Sequence, residues 1–101
     1  MSTATYANYV VQDARLVILK TLADQVDGRL NETIITASLI TFGHNRSRDW
    51  VRQQLRHLAD VGAVTVTEAG SVMIGELTRL GYDHLGRRVV IEGVARPSPV
   101  S

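Results

Sequence analysis

Cysteine is absent from this chain of 101 residues, and aromatic residues make up only 5% of it. Without cysteine the protein can form neither disulfides nor thiolate metal sites. With so few aromatic side chains, its core must be built mainly from Leu, Ile, Val and Ala. The hydrophobic fraction of 45% is sufficient for one domain. No apolar run approaches the length that a bilayer span needs, so we expect no membrane partner.

Net charge is nearly absent as well, because the formal value is +1 at pH 7. A near-neutral protein has no general attraction for nucleic acid, so any such attraction must come from the local distribution of charge. The chain begins without a basic segment followed by an apolar one. We therefore expect no secretory signal and a cytoplasmic location.

Apolar residues recur at helical spacing in four segments. The predicted helices run from Tyr9 to about Gln25, from an N-cap at Asn31 to Phe42, from an N-cap at Ser47 to Gly62, and onward from an N-cap at Thr78. In the second helix Glu32 suits the helix dipole. Its apolar face is expected to consist of Ile34, Ile35, Leu39 and Ile40. Arg29-Leu30 is interpreted as a short extended link.

Alternation of apolar and polar residues replaces the helical spacing after the third helix. Val64–Thr67 and Val72–Ile74 alternate, and the turn Glu68–Ser71 between them has the length that joins hairpin strands. The order of helix, helix, helix, hairpin and helix predicts a mainly α fold with a small β-hairpin, a winged helix-turn-helix. A three-helix bundle carrying a decorative hairpin is the alternative. Residues 1–9 are assigned to a flexible segment, 10–92 to the winged-helix domain and 93–101 to an extended tail.

Positive charge is concentrated around the third helix. Between positions 46 and 57, four arginines stand against one acid, Asp49. Helical geometry turns Val51, Leu55 and Leu58 inward, and it turns Asp49, Gln53, Arg56 and Asp60 outward. Arg can bond guanine and Gln can bond adenine in the major groove, so this helix is the candidate recognition helix. The candidate DNA-binding residues are Arg46, Ser47, Arg48, Asp49, Arg52, Gln53, Arg56 and His57.

Substitution of Arg52 and Arg56 by Ala is expected to weaken binding to duplex DNA without unfolding the protein. Trp50 has two interpretations, a wedge against the preceding helix or a partly exposed ring that stacks on sugar or on a partner protein. The turn Glu68–Ser71 is slightly acidic, which argues against strong phosphate contact by the hairpin.

Three motifs stand out along the chain from position 43 onward. They are Gly43-His44-Asn45-Arg46-Ser47-Arg48-Asp49-Trp50 with its helix up to Gly62, then Leu77-Thr78-x-x-Gly81, and finally Gly93-Val94-Ala95-Arg96-Pro97-Ser98-Pro99. Together they resemble the small winged-helix proteins of Mu-like phages and prophages that are often labelled ArsR-like transcriptional regulators. The resemblance covers residues 10–99 and implies a DNA-binding regulator in the cytoplasm of a host bacterium.

Catalytic and metal-binding patterns are lacking. The histidines His44, His57 and His84 are isolated, so we expect no metal and no cofactor. No nucleophile stands near a base and no Gly-rich loop could cradle phosphate, so we expect neither an enzyme nor a small-molecule substrate. The expected partners are double-stranded DNA and a second copy of the chain, because one recognition helix reads few base pairs. The alternative is a winged-helix adaptor that binds proteins in phage assembly or host takeover and does not bind DNA.

Overall fold

A computed structural model describes residues 3–99 of the chain, and the side chains of residues 5–99. Within that range four helices and three strands follow one another. They are α1 (Thr3–Ala23), β1 (Arg29–Asn31), α2 (Glu32–Thr41), α3 (Arg48–Asp60), β2 (Val64–Ala69), β3 (Val72–Leu77) and α4 (Arg79–Leu85). The strands form one antiparallel sheet in the order β1-β3-β2. The protein is therefore a mixed α/β domain.

Three predicted helix N-caps are confirmed by their hydrogen bonds. The Asn31 Oδ1 accepts from the backbone N–H of Ile34 at 3.0 Å. Ser47 Oγ accepts in the same way from Trp50 at 3.1 Å. Each cap satisfies one backbone donor that the first turn of a helix leaves without a partner. The short polar side chain before each apolar run thus sets where α2 and α3 begin, and Thr78 does the same for α4.

The core is formed by one face of each long helix together with the sheet. Val51, Leu55 and Leu58 of α3 are fully buried, as predicted. Met73 of β3 is buried with them, so the hairpin is part of the core rather than a decoration. Of the helices described, none is both long enough and apolar enough to cross a membrane.

The segment Arg29–Asn31 is a strand, whereas the sequence indicated only a link. Arg29 lies opposite Glu76 of β3, and Asn31 lies opposite Ile74. Three residues are too few to show an alternating pattern, and the strand exists because β3 offers it a free edge. The hairpin is thereby extended to three strands.

Helix α1 begins earlier than predicted. It is helical from Thr3, so it includes most of the segment that the sequence assigned to a flexible start. The side chains of residues 5–9 are all exposed. No apolar periodicity marks this stretch, because it has no packed face.

Helix α2 is apolar on two faces, and only one of them is buried. Ile35 and Leu39 are in the core, but Ile34 and Ile40 are 50% and 53% exposed. The prediction that all four share a buried face was wrong, because these positions surround the helix too widely to lie on one side.

The chain after α4 folds back onto α1. The backbone N–H of Ala95 donates to the carbonyl of Gln12 at 3.1 Å, and Arg15 Nη1 donates to the carbonyl of Gly93 at 2.9 Å. Val94 is only 4% exposed. The beginning of the predicted extended tail is therefore docked on the domain, and α4 ends at Leu85, before Val89.

Candidate nucleic-acid interface

The outward face of α3 is open to solvent. Asp49, Gln53, Arg56 and Asp60 are exposed, which confirms the predicted orientation of the helix. Ser47 and Arg48 at its start are exposed as well. The opposite face of α3 is packed in the core, so the helix backbone holds these side chains in place next to the hairpin.

Arg52 lies to one side of this face and is held by two carboxylates. Its Nη1 is 2.7 Å from Oε1 of Glu32, and its Nη2 is 2.9 Å from Oε1 of Glu68. Nη1 also lies 3.3 Å from the carbonyl oxygen of Ser71 in the hairpin turn. The Arg52 side chain is only 20% exposed. It therefore connects α3 to α2 and to the hairpin, and three of its N–H donors are occupied within the chain.

Glu32 is the acid that holds Arg52 from below, and its side chain is completely buried. Its Oε1 also accepts from the backbone N–H of Met73 at 2.9 Å, and Arg48 Nη2 lies 3.6 Å away. Burial by itself raises the pKa of the Glu32 carboxyl. The Met73 hydrogen bond and the charges of Arg52 and Arg48 outweigh burial and hold that pKa below its ordinary value.

Glu68 at the end of β2 reaches the same arginines from the solvent side. Its Oε1 lies 2.9 Å from Arg52 and 3.9 Å from Nη2 of Arg56. The local excess of three positive charges that the sequence indicates falls to one when Glu32 and Glu68 are included. The third helix is therefore less basic in the fold than in the sequence.

Trp50 lies between the edge of the core and Arg46, and its stacking on sugar or on a partner protein stays a prediction. Its half-buried ring packs against the edge of the core. The guanidinium carbon of Arg46 lies 4.6 Å from the ring centroid. A cation over an aromatic face is attracted by the ring quadrupole, so Trp50 restricts where the Arg46 charge can be.

His57 is turned toward α1 and the C-terminal segment. It is partly buried, and its Nε2 has no hydrogen-bond partner among the described residues. A Cβ added to Gly93 would lie 3.6 Å from that nitrogen. Burial lowers the pKa of His57, and the nearby charge of Arg15 lowers it further against an opposing effect of Asp60. His57 therefore stands away from the outward face that contains Gln53 and Arg56.

The other two histidines have partners within the fold. His44 Nε2 lies 2.7 Å from Oδ2 of Asp13. The fully buried His84 uses both ring nitrogens, accepting from Ile91 N–H at 3.0 Å and lying 2.9 Å from the Ala95 carbonyl oxygen. Among the described side chains no three His, Asp or Glu residues converge as metal ligands would.

The structure thus brings Arg48, Arg52 and Arg56 together on one side of α3, with Glu32 and Glu68 between them. Neither acid was predicted from the sequence to be part of this site. The sequence placed Glu32 in the first turn of a helix and Glu68 in a hairpin turn, and neither position indicates contact with an arginine of α3. Their distance from α3 along the chain gave no signal of contact.

Similarity to a phage protein is found over nearly the whole chain. The chain is 40% identical over 90 residues to "Uncharacterized protein gp26" of Escherichia phage Mu, covering 89% of this chain and 93% of that protein. The chain belongs to the phage Mu gp26 family. The predicted similarity to proteins of Mu-like phages is confirmed to this extent. No protein-family model matches the sequence.

A bacterial relative of the gp26 family extends the comparison beyond phage Mu. An "Uncharacterized protein" of Haemophilus influenzae is 37% identical over 62 residues, which are 61% of this chain and 60% of that protein. The matched length is shorter, so the phage Mu relative carries the family assignment.

Proposed function

We propose that this member of the gp26 family is a winged-helix DNA-binding protein and acts as a phage transcriptional regulator. The order α1, β1, α2, α3, β2, β3 supports it, since two helices joined by a short connection, here residues 42–47, and followed by a hairpin are the elements of a winged helix-turn-helix. The observation that carries the proposal is the outward face of α3. It presents Gln53 and Arg56, together with Asp49 and Asp60, on a helix whose other face is fixed in the core.

Within this proposal the arginines have different roles. Gln53 stands on the outward face and can reach base edges, whereas Arg56 on the same face can reach phosphate. Arg48 and Arg46, at and before the first turn, suit contacts to phosphate. Arg52 is a positioning residue, since Glu32 and Glu68 occupy its donors.

A second copy of the chain is part of the proposal. One helix reads few base pairs, and two-fold pairing of two subunits doubles the site. The exposed start of α1, with Tyr6 at 67% and Tyr9 at 64%, offers uncharged aromatic surface for that contact.

The test is a titration of fluorescent duplex DNA of the phage genome over a salt series. Arg56→Ala is expected to weaken binding severalfold and to reduce the salt slope by about 0.9, the value for one lost phosphate contact. Arg29→Ala is the matched control, because Arg29 is an exposed arginine of β1 that pairs with Glu76 at 3.7 Å. If Arg56→Ala and Arg29→Ala changed the affinity and the salt slope equally, α3 would not be the helix that binds DNA.

A protein-binding adaptor is the second candidate function, and one observation favours it. Ile34, Ile40 and Phe42, on and just after α2, are 50%, 53% and 65% exposed, and large apolar side chains on a surface can take part in binding another protein. If the wild-type protein binds no duplex DNA even at low salt, this apolar surface becomes the functional candidate. Substitution of Ile34 and Ile40 by Ser should then abolish capture of a phage protein while leaving the fold intact.

A further inference from the structure

The arm of the hairpin places a carboxylate on the arginines of the proposed recognition helix. Glu68 Oε1 lies 2.9 Å from Arg52 Nη2 and 3.9 Å from Arg56 Nη2. The side chains of Glu68 and Arg56 are both 56% exposed. At 2.9 Å the carboxylate oxygen is hydrogen-bonded to Arg52 in the position that a phosphate oxygen would take, whereas at 3.9 Å it is an ion-pair neighbour of Arg56 without a hydrogen bond.

We propose that Glu68 is an intramolecular competitor of DNA phosphate and sets how strongly α3 binds DNA without regard to sequence. This inference rests on the proposed DNA-binding function. While the Glu68 carboxylate lies beside Arg56, a DNA duplex must displace it before a phosphate can bind the same guanidinium. The cost is the same on every sequence. Only a duplex that also bonds the base-reading side chains, such as Gln53, compensates for it.

The position of Glu68 is fixed by the buried part of the same network. Glu32 binds both Arg52 and the backbone of Met73, and Arg52 reaches the carbonyl of Ser71. These contacts hold the turn and β3 of the hairpin against α2 and α3, so the carboxylate stays close to its arginines. The outer pair can still open, because Arg52 keeps Glu32 as a partner when Glu68 leaves.

The expected effect is modest because the pair is exposed. Exposed ion pairs contribute little to free energy, which corresponds to a gain of about two- to fivefold in affinity when the competitor is removed. The change should be accompanied by one additional phosphate contact, since Arg56 becomes available for it. The salt slope would then become steeper by about 0.9.

The experiment compares Glu68→Gln with Glu76→Gln by titrating duplex DNA of random sequence at several salt concentrations. Both variants remove one exposed carboxylate from the hairpin, but Glu76 pairs with Arg29 of β1 instead of α3. We expect Glu68→Gln to bind about two- to fivefold more tightly than Glu76→Gln and with a steeper salt slope. Unfolding of both variants by urea establishes that the fold is retained.

Four other results are informative. Equal gains in the two variants overturn the inference and leave the DNA-binding function standing, because net charge alone would then account for them. A larger gain for Glu68→Gln with an unchanged salt slope also overturns it, since Glu68 would then only repel the DNA. Absence of binding by wild type and both variants at low salt overturns the proposed function and this inference with it, whereas binding by Glu68→Gln alone supports both.

Discussion

The guanidinium of Arg52 lies 2.7 Å from the carboxylate of Glu32, whose side chain is completely buried. This pair joins the start of α2 to the middle of α3. Through the Met73 N–H, which donates to the same carboxylate oxygen, it also holds β3. A buried charge is tolerated only when it is paired and hydrogen-bonded, so the three elements depend on one another at this point.

Replacement of Arg52 by Ala should destabilise the fold strongly. It leaves the buried Glu32 charge without its main partner, and breaking such a pair costs about 3–5 kcal/mol. Arg56→Ala, on the exposed face of the same helix, should change the free energy of unfolding by no more than about 0.5 kcal/mol. Urea denaturation measures both. This prediction replaces the expectation from sequence that Arg52 can be removed without unfolding the protein. If Arg52→Ala lost as little free energy of unfolding as Arg56→Ala, the expectation from sequence would stand.

Stability should decrease in acid through the Glu32 carboxyl. Its pKa in the folded protein is below the ordinary value of about 4.3, so the folded state binds this proton less readily than the unfolded state. The contribution of Glu32 is present above that ordinary value and is lost as the pH falls through the lower, folded pKa. Melting temperature measured from pH 6 down to about pH 3 should fall less steeply for Glu32→Gln than for wild type. Glu76→Gln, in an exposed pair, should keep the wild-type slope.

Gly81 should not tolerate a side chain. A Cβ there would lie 2.4 Å from both the Ala63 carbonyl oxygen and the Leu77 Cδ1. Gly81→Ala should therefore lower the free energy of unfolding by about 2–3 kcal/mol, the upper range for an overpacked site. Gly86→Ala is the control, because the atoms nearest to its Cβ would belong to the far end of the flexible Arg88 side chain. Thermal unfolding distinguishes them, and a Gly81→Ala protein as stable as Gly86→Ala would contradict the packing.

Removal of the His84 ring should loosen the C-terminal segment. Both ring nitrogens are bonded, to the Ile91 N–H and the Ala95 carbonyl, and the ring is fully buried. In His84→Ala these two backbone groups lose their partner, at about 1–3 kcal/mol for each buried group left unsatisfied. Hydrogen exchange at the Ile91 amide should accelerate accordingly. His44→Ala removes a contact to the exposed Asp13 and should leave the Ile91 amide unchanged.

The motif Leu77-Thr78-x-x-Gly81, visible in the sequence, gains a physical reason from the fold. Thr78 Oγ1 accepts from the Gly81 N–H at 3.1 Å and lies 2.6 Å from the carbonyl oxygen of Gly62, to which it donates. Gly81 stands where α4 presses on the chain before β2. The sequence indicated the cap, but only the packing shows why position 81 must lack a side chain.

Local chemistry in the sequence was sufficient for the helices after the first, their caps, the hairpin and the orientation of α3. These features depend on residues three or four positions apart, or on a short turn, and such spacing is visible in the chain itself. The start of α1 was missed because helix without a buried face leaves no apolar period. Ile34 and Ile40 were assigned to the wrong face because apolar residues occur on two faces of α2, and the sequence does not show which face packs against the core.

The absence of cysteine excluded disulfides and thiolate metal sites, and the scarcity of aromatic residues and of net charge excluded an aromatic core and a general attraction for nucleic acid. The spacing of apolar and polar residues determined most of the helices and strands. The tertiary structure alone decided which charges neutralise one another. Glu32 and Glu68 come from different elements, and they meet Arg52 only because β3 pairs with β1 and β2 while α3 packs across the sheet. Contacts between residues far apart in the chain have no local signature. For that reason the number of arginines on α3 could be counted from the sequence. The number of them that are paired with carboxylates in the folded protein could not.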